Sequence, residues 1–63
     1  AIVMLGTMSV DDTQRVLLLD AATGLESWHV IGDSVQGWTI VEIMPDVTRM
    51  QLEGVEITFN LFQ

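Results

Sequence analysis

The chain has 63 residues, no cysteine, two basic and nine acidic residues, and a formal charge of −7. A single domain this small buries only about 60% of the surface its unfolded chain exposes. With no disulfide and no thiolate-held metal, its 49% hydrophobic content has to supply the stability. Arg15 and Arg49 are its only cations, too few to replace phosphate counterions or to hold an anionic membrane surface, which argues against a nucleic-acid or lipid-surface partner.

The chain opens within the apolar run Ala1-Ile2-Val3-Met4-Leu5, with no charged leader and no initiator Met, and so reads as a domain trimmed from a longer protein. No stretch approaches the roughly 20 apolar residues of a membrane span. Ile2 to Met8 is the first expected strand, interrupted by Gly6. Both alternating sides of Ile2 to Leu5 are apolar, as in a strand covered on both sides or one whose outer side awaits a partner. Ser9 to Thr13 is a polar turn. Gln14 to Asp20 is the second strand, and Val16-Leu17-Leu18-Leu19 is again apolar on both sides. Leucines favour helices, but the flanking turn signals leave too few residues for one.

Ala21 to Gly24 is a turn, and Leu25 to Ile31 the third strand. Leu25, Ser27, His29 and Ile31 alternate there with Glu26, Trp28 and Val30. The chain is organised around the stretch that follows. Gly32-Asp33 and Gln36-Gly37 are both turn pairs, and their separation reads as one compact wide turn longer than a two-residue hairpin. Trp38 to Ile43 is the fourth strand, closed by Met44-Pro45-Asp46. Val47 to Leu52 is the fifth, with Thr48, Met50 and Leu52 against Val47, Arg49 and Gln51. Glu53-Gly54 reverses the chain into Val55 to Phe62, the clearest period-two segment. Six short strands between turn signals indicate an all-β fold, a small antiparallel sandwich or a partly open barrel.

The search for chemistry is mostly negative. The one histidine, His29, has Ser27 two residues away on the same strand face, close enough in sequence for a hydrogen bond. Catalysis would need those two and a carboxylate to converge in a pocket. Asp11-Asp12 lacks the run of oxygen ligands that calcium requires. Glu42 with Asp46 and Glu53 with Glu56 flank turns, where solvation explains the acidity. No helix follows Gly32 or Gly37 to cradle a phosphate. Trp28 and Trp38 either both pack over the core, or one stays exposed as an interface anchor. The first strand carries more apolar surface than one side of so small a core can use. A sheet-edge position would leave its amides open to a partner.

The ordered set Leu5-Gly6-Thr7, Val16 to Asp20, Val30-Ile31-Gly32-Asp33-Ser34-Val35, Gly37-Trp38, Val41 to Asp46, and Gly54 with Glu56 to Leu61 resembles a known module. It is similar over nearly the whole chain to the periplasmic homology-region domain of the inner-membrane protein C of bacterial type II secretion systems. More distantly it is similar to the periplasmic domain of the type IV pilus assembly lipoprotein P. It departs from the first family in charge, with Arg49 alone near the Pro45-Asp46 reversal.

The resemblance implies two packed three-stranded antiparallel sheets in one domain over residues 1–63, trimmed from a membrane-anchored parent and facing the periplasm. It implies no enzymatic activity, cofactor or small-molecule substrate. The expected partners are other inner-membrane components of the secretion system and the N-terminal (N0) domain of the outer-membrane secretin, the latter met by the first strand and adjoining strand edges around Leu5, Gly6, Thr7 and Met8. Binding through one small face is expected to be modest and reversible. A competing reading is an SH3-like structural module that forms weak homodimers through its edge strand. An enzyme built on Ser27 and His29 is the third.

Overall fold

Four tight reversals set the chain's path in the computed structural model, which describes all of residues 1–63. Asp11-Asp12, Gln36-Gly37 and Glu53-Gly54 place both loop residues at positive φ, at 50° and 64°, 51° and 86°, and 50° and 81°. These mirror-image turns match the right-handed twist of the strands they join. Pro45-Asp46 makes the fourth reversal, where a fixed φ suits the corner of a turn.

The strands are β1 (Ile2–Val10), β2 (Thr13–Asp20), β3 (Leu25–His29), β4 (Ser34–Val35), β5 (Trp38–Met44), β6 (Val47–Leu52) and β7 (Val55–Asn60), with no helix. They form two antiparallel sheets, ordered β1-β2-β3 and β4-β5-β6-β7. Together they make a small sandwich. A parallel bridge between Met4 and Leu61 joins the sheets at one side without closing a barrel.

The second sheet has four strands where three were expected, because the stretch from Gly32 to Gly37 is not one wide turn. Gly32 N–H donates to Ile40 O at 2.8 Å and Ile40 N–H to Asp33 O at 2.9 Å, so backbone pairing with β5 reaches back across β4. Gln36-Gly37 then closes a two-residue hairpin. The third strand stops at His29, short of the expected Ile31. There Val30 N–H turns to Asp33 Oδ2 at 3.0 Å, and Asp33 N–H to Val30 O at 3.1 Å. The last strand ends at Asn60, and Phe62 lies at a φ of 62°.

Two β-bulges decide which side chains point inward. In β1, Met4 pairs with Leu18 and Gly6 with Leu17, leaving Leu5 as the extra residue. In β5, Ile40 pairs with Met50 and Glu42 with Arg49, leaving Val41. An extra residue resets the two-residue alternation. Ile40 and Ile43, three apart, therefore both reach the core, and Thr7 lies on the same side of its sheet as Met4.

The core is small: seven of 63 residues are buried. Met4, Val16 and Leu18 come from the first sheet and Ile40, Ile43 and Met50 from the second. Thr48 is the seventh, its hydroxyl 3.4 Å from Met4 Sδ.

Candidate functional site

The four residues expected to meet a partner sit in different environments along β1. This strand is an edge of its sheet, the position that leaves amides open to a partner. Its first half is not bare, since Met4 O accepts Phe62 N–H at 2.8 Å. Beyond the bulge, Thr7 pairs in register with buried Val16 and so lies on the inner side. Its hydroxyl donates to Pro45 O at 3.2 Å, across 38 positions of sequence. Thr7 is therefore a link between the sheets. Met8, opposite Arg15, lies on the outer side and is 39% exposed. Leu5 is partly buried and outside the core cluster, and Gly6 lies beside Leu17. Leu5, Gly6 and Met8 lie on or beside the outer side of the sheet, whereas Thr7 turns toward the second sheet.

The registers extend the outer side beyond β1. Val3 stands beside Leu19 and Glu26, and Gly6 beside Leu17 and Trp28. These form two rows across the sheet, on the side opposite Val16 and Leu18. None of Val3, Leu17, Leu19 and Trp28 belongs to the core cluster or packs against it. Trp28 is 45% exposed, whereas Trp38 is half-buried against the core. One tryptophan is thus the exposed one, and Leu17 and Leu19 join it as residues missing from the expected set. Their signal was present in the sequence, because a second strand apolar on both sides cannot put both into so small a core.

The outer side of the other sheet is polar. Arg49 Nε lies 2.7 Å from Glu42 Oε1, and Arg49 Nη1 lies 3.6 Å from Glu56 Oε1. The shorter contact is an ion pair without hydrogen-bond alignment. All three side chains are about 40% exposed or more, so water screens the pairs.

Ser27, His29 and a carboxylate do come together. Ser27 Oγ lies 2.8 Å from His29 Nε2, and His29 Nδ1 lies 3.4 Å from Asp33 Oδ2. The order of atoms is that of a serine-hydrolase triad, but the His29–Asp33 approach lacks hydrogen-bond alignment; Ser27 and His29 line an open groove of about 310 Å³ between β3 and β4. The surroundings differ from those of a catalytic triad. A catalytic aspartate is buried and committed to its histidine. Asp33 is 42% exposed, and the same oxygen already accepts Val30 N–H. Asp33 thus ties the end of β3 to the crossing between the sheets through Val30 N–H, with the Ser27–His29 pair beside it.

A second open groove of about 540 Å³ runs past Ile2, Trp38, Ile57 and Phe59, and its other lining side chains carry no charge. No cluster of three or more His, Cys, Asp or Glu could hold a metal. Compared with family models, with curated proteins and with solved structures, the chain finds no match.

Proposed function

We propose that this domain is a non-enzymatic docking module that couples a secretion platform of the bacterial inner membrane to the N-terminal domain of an outer-membrane secretin. The observation that carries this reading is an apolar sheet side next to a half-open edge strand, on an acidic domain whose motif order resembles the homology-region family. A small all-β sandwich of two antiparallel sheets agrees in outline with that resemblance, with one strand more than it implies in the second sheet. Its place would be the periplasm, tethered by a membrane segment of its parent. The pilus counterpart would use the same surface toward its own secretin. Self-association is the weaker reading, because two copies would each bring a charge of −7.

Titrating the domain with a recombinant secretin N-terminal domain tests the proposal. Saturable binding is expected, weakened severalfold by Met8→Asp at the exposed end of β1. Thr7→Arg is a poor substitute, since it would break the inward hydroxyl contact to Pro45. Absence of binding at partner concentrations up to about 1 mM, equivalent to only about −4 kcal/mol, would contradict it. The non-enzymatic part is tested separately with a fluorophosphonate probe, which is expected to leave Ser27 unlabelled; stoichiometric labelling abolished by His29→Ala would establish a nucleophile.

A further inference from the structure

We infer that the outer side of the β1-β2-β3 sheet is a docking surface in its own right, centred on Leu17 and Trp28, for a protein whose apolar strip is bordered by lysine or arginine side chains. The register puts Gly6, Leu17 and Trp28 in one row and Val3, Leu19 and Glu26 in the next. Gly6 has no side chain to shield Leu17 from one flank. No strand of the second sheet lies on this side, because the core is formed on the opposite one by Met4, Val16 and Leu18. A half-exposed tryptophan over leucines has the composition of an interface centre, where aromatic anchors dominate affinity.

Charge selects the occupant. The carboxylates of this side and its end are Glu26, in the Leu19 row, and Asp11-Asp12 in the β1–β2 turn, against the single cation Arg15 opposite Met8. A second copy would set these carboxylates against their own equivalents while adding another charge of −7. An anionic bilayer is opposed in the same way. A protein with a basic rim meets both the apolar centre and the acidic border.

Face docking is distinguishable from pairing along the β1 edge. Trp28 lies two strand spacings from β1, roughly 10 Å, beyond the reach of a strand added at that edge. The secretin N-terminal domain as partner rests on the coupling reading above, and it serves as the probe. Trp28→Ala is expected to weaken its binding at least tenfold. Glu26→Lys, an exposed charge reversal that leaves the core untouched, is expected to weaken it severalfold. Arg49→Gln on the opposite outer side is expected to leave it unchanged. Raising sodium chloride from about 0.05 M to about 0.5 M shortens the screening length severalfold and is expected to weaken wild-type binding. If the wild type binds but Trp28→Ala and Glu26→Lys bind equally well, the face is overturned and the coupling reading survives. If the wild type does not bind the probe at all, the coupling reading falls; salt-sensitive binding of a synthetic apolar peptide bordered by lysines, lost in Trp28→Ala, would still carry the face, and its absence would overturn the face as well. Concentration-dependent dimerisation lost in Trp28→Ala would hand the face to a second copy and overturn the heterologous partner.

Discussion

On the outer side of the second sheet, Glu42, Arg49 and Glu56 come within 2.7 Å and 3.6 Å of one another; on the outer side of the first, the corresponding central row is Gly6, Leu17 and Trp28. Both sides belong to antiparallel strands, and both back onto the same six-residue core. One carries charges that water solvates readily, and the other carries side chains that gain from leaving water. At about 25 cal/mol per Å² of apolar area, only the second gains appreciably from contact with another protein. Fold stability does not require that side to be apolar. Its composition is therefore free to serve contact with another protein, which is the reading proposed above.

The comparison breaks most completely if the shared core is emptied. Met50 is fully buried, and Met50→Ala is expected to cost about 2–5 kcal/mol, a large part of the stability of a domain this size. Urea unfolding should show both outer sides lost in one transition. A surviving transition near the wild-type midpoint would mean that the sheets do not depend on a common core.

A finer division runs between neighbours in β2. Val16 is fully buried, whereas Leu17 is only partly buried, on the other side. Val16→Ala is expected to cost about 2 kcal/mol from lost burial and the cavity left behind. Leu17→Ala, although it removes more atoms, is expected to cost about 1 kcal/mol or less. Equal losses would place Leu17 in the core and remove the outer side it helps to define.

On the polar side, Arg49→Gln is expected to change stability by less than about 1 kcal/mol, because both ion pairs are exposed. A larger loss, surviving in high salt, would make that side structural. The smallest effect is expected at Thr48, whose buried hydroxyl has only the weak acceptor Met4 Sδ at 3.4 Å. Thr48→Val should shift the unfolding free energy by no more than about 0.5 kcal/mol. A larger loss would show the hydroxyl holding the two sheets together.

Much of this division was legible in the sequence. Strict alternation in Val47 to Leu52 and Val55 to Leu61 separated inner from outer residues, and Thr48, Met50, Ile57 and Phe59 all face the core. The doubly apolar run Val16 to Leu19 fits a strand with one apolar side in the core and another facing outward. Other features have no one-dimensional signature. The bulge at Leu5 moves Thr7 inward, yet a leucine looks the same in a regular strand. The two-residue β4 depends on Gln36 adopting a φ of 51°, a conformation few non-glycine residues take. The Ser27–His29 contact follows from i, i+2 spacing on one strand. The approach of Asp33 needs the Val30–Asp33 turn, whose backbone pairing no spacing rule specifies.

The most direct measurement is a titration of the isotope-labelled domain with the secretin N-terminal domain, followed residue by residue by nuclear magnetic resonance. Progressive shifts are expected at Met8, Leu17, Leu19 and the amide and indole N–H of Trp28, with Glu42, Arg49 and Glu56 unmoved. Shifts confined to the Glu42–Arg49–Glu56 side, or a spectrum unchanged throughout the titration, would contradict the assignment of docking to the apolar sheet.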